Sequence, residues 1–165
     1  MPMLDVYIPD GVLRPDAEKA LINRLTEILI RGEGADPTNP AVRAVSWVFL
    51  HRPELFVGGE PADAPRYKVV ATVPEGQLDE RARAAVVAEA TEAVLDAEQG
   101  QWPRDKARVW VFPLEIPEGQ WGGRGRIVHL ADILTRITDS PEDAHALAAK
   151  RIAASRAERA VIKDL

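Results

Sequence analysis

The chain carries an internal repeat, and a repeat constrains a fold more than any single motif does. Pro9-Asp10-Gly11-Val12-Leu13 returns as Pro74-Glu75-Gly76-Gln77-Leu78, 65 positions later. Trp47-Val48-Phe49 returns as Trp110-Val111-Phe112, 63 positions later. The two markers keep their order. The chain therefore reads as two copies of one unit, with a connection two residues shorter in the second copy.

Each unit reads as strand, helix, strand. Leu4 to Ile8 is a short apolar run stopped by the turn signal Pro9-Asp10-Gly11, and Val69 to Val73 does the same before Pro74-Glu75-Gly76. In the first helix Leu21, Leu25, Ile28 and Leu29 form one face, and Pro15 sits near the start, where its missing N–H costs nothing. In the second, Val87, Ala90, Val94 and Ala97 form the face, with Asp79 and Glu80 in the first turn. Gly32 and Gly100 close the two helices. The late strands are read as Val42 to Leu50 and Arg108 to Leu114, rich in β-branched and aromatic residues.

A β-α-β unit whose strands are neighbours in one sheet is parallel and right-handed. Two such units predict an α/β (α+β) chain: a four-stranded mixed sheet with two helices on one face. The other face keeps apolar residues with no helix to cover it, so sheet-to-sheet packing between subunits is expected. His129 to Ile137 is expected to add a helical turn or two. Ser140 is a good N-cap, Pro141 a good first residue, and Glu142 and Asp143 suit the positive end of a last helix. That helix reads as a surface helix or an arm on a neighbour, its arginines solvated and balanced by Glu158 and Asp164. The division is residues 1–138 as one domain, with pseudo-repeats at about 2–60 and 66–127, and 139–165 as a helical extension.

Bulk properties remove several function classes. The net charge of −5 gives no electrostatic case for nucleic acid. Cysteine is absent, so disulfides and thiolate metal sites are excluded, and His51, His129 and His145 lack metal-ligand spacing. No apolar run nears the roughly 18 residues of a membrane span. Asp5 and Asp10 interrupt any signal peptide. A cytoplasmic protein without cofactor or membrane partner is expected.

The candidate for chemistry is Pro2. Methionine is normally trimmed before a small residue, which would expose a secondary amine at position 2. A free α-amino group titrates near about 7.7–8.0. Placement at the start of a buried strand disfavours its charged form and lowers that value toward neutrality, where a general base works best. At the offset of 65 its counterpart is Tyr67, mid-chain and without an amine. Only the first unit can carry such a base.

Pro2 at the strand start, the Pro-Asp-Gly turn and the paired units resemble the tautomerase superfamily. Trp121-Gly122-Gly123-Arg124-Gly125 resembles the late hairpin of those proteins. Glu54-Leu55-Phe56-Val57-Gly58-Gly59-Glu60-Pro61 is similar to a loop of the macrophage migration inhibitory factor branch. Tyr7 to Lys19 is similar to the start of the cis-3-chloroacrylic acid dehalogenase branch. The resemblance spans roughly residues 2 to 137. It implies a homotrimer with active sites between subunits, and cofactor-free tautomerisation, hydration, dehalogenation or decarboxylation of small molecules.

Departures narrow the implication. The dehalogenase arginines at the second turn are missing from Pro74-Glu75-Gly76-Gln77. Leu29 stands in place of that branch's helical His, Phe112 in place of its Tyr, and Gly123 near its Glu. Val12 and Trp110 stand where 4-oxalocrotonate tautomerase has arginines. The resemblance then implies an apolar, aromatic pocket suited to an aryl or alkyl enol. Trp110, Phe112 and Trp121 are its candidate lining, or simply core. Arg124 and Arg126 are candidates to bind a substrate carboxylate bidentately, or solvated side chains. His51 and Arg52 are similar. The leading reading is a keto-enol tautomerase with Pro2 as general base. A decarboxylase or hydratase of small carboxylates, and a non-catalytic trimeric scaffold, are the alternatives.

Overall fold

The computed structural model describes residues 3–163. In chain order the elements are β1 (Met3–Tyr7), α1 (Pro15–Gly32), α2 (Pro40–Arg43), β2 (Trp47–His51), β3 (Phe56–Val57), β4 (Glu60–Pro61), β5 (Tyr67–Pro74), α3 (Glu80–Ala97), a 3₁₀ turn (Lys106–Arg108), β6 (Val109–Ile116), β7 (Gly122–Gly123), β8 (Arg126–Ile127), α4 (Leu130–Leu134) and α5 (Pro141–Lys163). Shifting α1 by 65 gives the bounds of α3, so the sequence repeat is a structural repeat.

The main sheet runs β2-β1-β5-β6, with parallel outer pairs and an antiparallel centre. The central register preserves the repeat. Leu4 pairs with Ala71, and moving each partner by 65 gives Val69 with Val6, a pair that is also present. The two units are thus related by a pseudo-twofold between β1 and β5. The environment of Tyr67 at the start of β5 is the counterpart of the environment at the start of β1.

Alternation along the strands splits the sheet into two faces. Leu4, Val6 and Ile8 of the β1 run, with Tyr67, Val69, Ala71 and Val73 of β5, point toward α1 and α3 and are buried. Leu21, Leu25, Ile28 and Leu29 of α1 meet them, as the periodicity predicts. The α3 face is displaced by one step. Val86, Ala90, Ala93 and Val94 are buried, and Val87 is half-buried. The cause is the packing of α3 on α1: a Cβ on Gly32 would come within 2.8 Å of Val86 Cγ2.

Three local readings need correction. The stretch read as strand from Val42 is helical at its start, because Asn39 caps Ala41 N–H and Pro40 sets the first turn of α2. The strand itself begins at Trp47. Asp79 is the N-cap of α3, accepting from Ala82 N–H, and not a first-turn residue. Gly32 is the last helical residue of α1, and the left-handed residue that follows is Gly34 (φ 79°).

The open face carries Trp47, Phe49, Trp110, Phe112 and Leu114, all exposed. Polar groups interrupt it where Asp5 Oδ1 meets His51 Nε2 at 2.6 Å, Tyr7 stacks on His51, and Lys68 lies over the Tyr7 ring. Among the described residues no helix is long and apolar enough to cross a membrane.

Helix α5 docks on its own chain, and its arginines, while solvated, are also paired. Ser140 caps it, accepting from Asp143 N–H. Ala144 and Ala148 bury against Leu130 and Leu134 of α4. Arg156 and Arg159 converge on the buried Glu75, and Ser155 donates to Glu115 at 2.9 Å. The charges named as balancing them behave otherwise: Glu158 pairs with Arg83, and Asp164 lies outside the described residues. Gly76 makes the docking possible. Its φ is 83°, and a Cβ there would sit 3.0 Å from the backbone of Arg151 and Ile152.

Candidate active site

Position 2 lies outside the described residues, so the site is built from what surrounds the start of β1. Met3 pairs with Trp47 on one side and Thr72 on the other. Because β5 runs antiparallel to β1, this end of the sheet also holds the turn Pro74 to Gln77. A cleft of about 540 Å³ opens there. Met3, Trp47 and Thr72 form its sheet wall, and Trp121, Arg124 and Arg126 face them. Val45, Ile133 and Arg136 close its inner end.

The β7–β8 hairpin brings Trp121 and Arg124 to this cleft. Arg124 (φ 54°) and Gly125 (φ 74°) are the two central residues of its turn, both left-handed as a two-residue hairpin turn requires. A non-glycine residue in that conformation is uncommon, and here it carries a guanidinium into the cleft lining. The segment after the hairpin is fixed by acids. Asp132 accepts from His129 N–H at 3.0 Å and from Arg126 at 3.2 Å, and Glu118 meets His129 Nδ1 at 2.8 Å.

The other candidates go elsewhere. Trp110 and Phe112 lie on the open sheet face and do not line the cleft of their own chain. Their rings meet edge-on, with centroids 6.3 Å apart. His51 is engaged with Asp5 and Tyr7, and Arg52 makes a two-pronged bond to Glu18 at 2.6 and 2.7 Å. Among the described residues no cluster of His, Asp and Glu is arranged to hold a metal ion.

Glu33 went unnoticed in the sequence. A smaller cavity of about 30 Å³ adjoins the cleft, sharing Val45, Ile133 and Arg136 with its lining, and Glu33 and Gln77 wall it. Glu33 caps the end of α1 and is only 4% exposed. Burial pushes its carboxyl above the ordinary value, against opposing interactions that include the charge of Arg151. Arg151 reaches in from α5, donating to Gln77 Oε1 at 2.9 Å and to the Glu33 carbonyl at 3.5 Å. The signal for Glu33 was available: its counterpart at 65 is Glu98, the C-cap of α3.

Glu98 is 1% exposed and fully engaged. The Tyr67 hydroxyl donates to its Oε1 at 2.8 Å, and Arg108 grips both oxygens at 2.5 and 2.6 Å. Burial, then the carboxylate, push the Tyr67 hydroxyl far above its usual value. At the strand offset of 63 the counterpart of Arg108 is Val45, a wall of both cavities. The second unit closes with an ion pair the place where the first unit has a cavity.

Solved structures share this architecture. The R7 fused 4-OT, in its wild-type asymmetric trimer, matches with a TM-score of 0.62 at 21% identity, over 76% of this chain and 94% of that one. N1, a member of the cis-3-chloroacrylic acid dehalogenase family, matches with a TM-score of 0.62 at 19% identity, over 88% and 97%. Macrophage migration inhibitory factor of Toxoplasma gondii matches with a TM-score of 0.58 at 13% identity, over 76% and 99%. The chain has the tautomerase-superfamily fold. No family model and no curated protein sequence matches it. On the tautomerase fold, helix α5 and its Arg151 contact lie beyond the two duplicated units.

Proposed function

We propose that the protein is a cofactor-independent keto-enol tautomerase of the tautomerase superfamily. Pro2, freed by removal of Met1, is its general base, and a small enol or 2-oxo carboxylate its substrate. The observation that carries this reading is the cleft at the start of β1, with Trp47 and Trp121 for an apolar or aryl body and Arg124 for a carboxylate. The amine removes a proton from the α-carbon of the keto form. An arginine stabilises the charge developing on oxygen, which is worth more in a water-poor site than in solution.

The working form is a homotrimer. The exposed Trp47, Phe49, Trp110, Phe112 and Leu114 on one sheet face support this, as do the trimers among the similar fused 4-OT structures. Trp110 and Phe112, distant from the cleft of their own chain, then become available to a neighbour's cleft. Arg124, Arg126 and Arg136 on a single cleft favour a second reading, the decarboxylation or hydration of a small carboxylate.

The test is ketonisation of phenylenolpyruvate by the wild type and by Pro2→Ala. Loss of about 10²-fold or more in kcat/KM is expected, the scale of general-base contributions. Equal rates would remove Pro2 from the mechanism. A substrate carrying a carboxylate but no enolisable position, turned over by the wild type, would move the reading to the second chemistry.

A further inference from the structure

Among the described residues the buried apolar side chains gather in two cores, and the cleft lies between them. The larger core joins the sheet to α1 and α3. The smaller one is made by Leu130, Ala131 and Leu134 of α4 with Ala144 and Ala148 of α5. The β7–β8 hairpin belongs with the second. Arg126 bonds Asp132 at 3.2 Å, and the Glu118 carboxylate accepts from Leu130 N–H at 3.2 Å and meets His129 Nδ1 at 2.8 Å. Residues 118–163 thus hold together as one unit, set against the sheet and its two long helices.

Open space follows the boundary between the two. The cleft of about 540 Å³ separates Met3, Trp47 and Thr72 from Trp121, Arg124 and Arg136. The cavity of about 30 Å³ separates Ala35 and Val42 from Ile133 and Leu134. A groove of about 410 Å³ separates Gly32, Leu78 and Ala82 from Leu147 and Ala154. A protein interior leaves few voids, so this boundary is packed unlike either core. What bridges it is polar and gathers at the second turn of the repeat. Glu75, only 2% exposed, accepts from Arg156 Nε at 3.1 Å, from Arg159, and from Glu118 N–H at 2.8 Å. Glu115 accepts from Ser155 and from Gly76 N–H, both at 2.9 Å, and Gln77 accepts from Arg151 at 2.9 Å. Arg83 adds its pair with Glu158. The first turn has no such dock: Asp10 and Gly11, the counterparts of Glu75 and Gly76, are exposed.

We propose that residues 118–163 form a hinged wall of the cleft, and that Glu75 is the pin that sets the cleft's width. Glu75 holds both sides of the hinge: the Glu118 N–H, just after the chain leaves β6, and two arginines of α5. With the pin in place the wall stands at the observed width. With it loosened the wall swings as a body, while α4 and α5 stay packed on each other. A boundary that is polar rather than large and apolar permits motion of this kind. The movement matters because the two walls differ. Met3, Ala44, Val45, Trp47 and Thr72 stand on the sheet side, whereas the swinging wall brings Arg124, Arg126, Asp132 and Arg136. The hinge therefore sets how far the charges of the cleft stand from its uncharged side. The proposal does not depend on Pro2 as the base.

Distances across the cleft of the full chain test this. The sequence has no cysteine, so spin labels on Ala44→Cys and Gln120→Cys, exposed residues on opposite walls, report the width. Labelled chains are diluted with unlabelled ones, so that each distance lies within one chain. Glu75→Gln should shift or spread the distance by more than about 2 Å, the scale of a domain rearrangement. Arg159→Ala loosens the same pin from the exposed side of α5 and should move the distance the same way by less. It carries the test where Glu75→Gln does not fold. A second label pair lies inside the moving unit, on Thr135→Cys and Ala157→Cys, both exposed and outside the bonds to the second turn. Its distance should stay unchanged in every variant. An unchanged width in the folded variants would overturn the proposal. So would a change in both pairs, because α5 would then be leaving α4 and the wall would not move as a body.

Discussion

Glu33 and Glu98 occupy the same place in two copies of one unit and are treated in opposite ways. Each caps the end of an 18-residue helix and each is almost fully buried. Glu98 is clamped by Arg108 and Tyr67, so its charge is matched inside the protein. Val45 stands where the second unit has Arg108, and Glu33 is one wall of a small cavity. The lesson is that two copies of one unit can set the same buried glutamate in different surroundings. A buried ion pair holds geometry well but cannot exchange protons with a ligand. A buried carboxyl whose protonated form is favoured weakens the fold at neutral pH.

The strongest way to break this contrast is to remove a clamp. Arg108→Ala should destabilise by about 3–5 kcal/mol, because it leaves Glu98 buried without its partner. Urea unfolding measures this. A loss below about 1 kcal/mol would mean that Glu98 is no more structural than Glu33.

Gly76→Ala tests how α5 is joined to the second unit. The left-handed backbone and the close approach of α5 together should cost about 1–3 kcal/mol. Faster amide exchange confined to α5 would be the local signature.

Glu33→Gln should behave unlike either. The folded pKa of Glu33 lies above its unfolded value. Its burial therefore weakens the fold as pH rises through the unfolded value, and the deficit is fully present above the folded one. Replacing it with Gln should leave stability equal or raised by about 1 kcal/mol at pH 7. The difference should fade in acid, as followed by thermal melts across pH.

The smallest effect concerns Glu75. Burial works against its charged form, but bonds from Arg156 and the Glu118 N–H, with the charge of Arg159, hold its pKa below the ordinary value. That docking is present above the unfolded value and is lost as pH falls through the folded one. Protection of α5 in hydrogen exchange should drop in acid, and should drop already at neutral pH in Glu75→Gln.

Much of the frame was legible in the residues. The repeat markers gave the two units, and helical spacing gave the α1 face down to Leu29. The open sheet face followed from counting helices. What escaped were features set by long-range packing. Val42 read as strand because β-branched residues look alike in a strand and in a short helix; Asn39 and Pro40 carried the deciding cap. The pairing of the α5 arginines escaped because Glu75 and Glu115, their partners, lie 44 to 84 positions away. The cleft was half legible. Trp121 and Arg124 meet there, whereas Trp110 and Phe112 sit on the face suited to a neighbour. Glu33 was missed even though the repeat that related Pro2 to Tyr67 also related it to Glu98.

The proposed catalysis depends on a free amine at Pro2. The mass of the intact protein purified from its own cells measures this directly. A mass short by one methionine residue is the predicted result, and it leaves a secondary amine at the start of β1. A mass that includes Met1 would make the Pro2 nitrogen an amide without basicity, and would contradict the account.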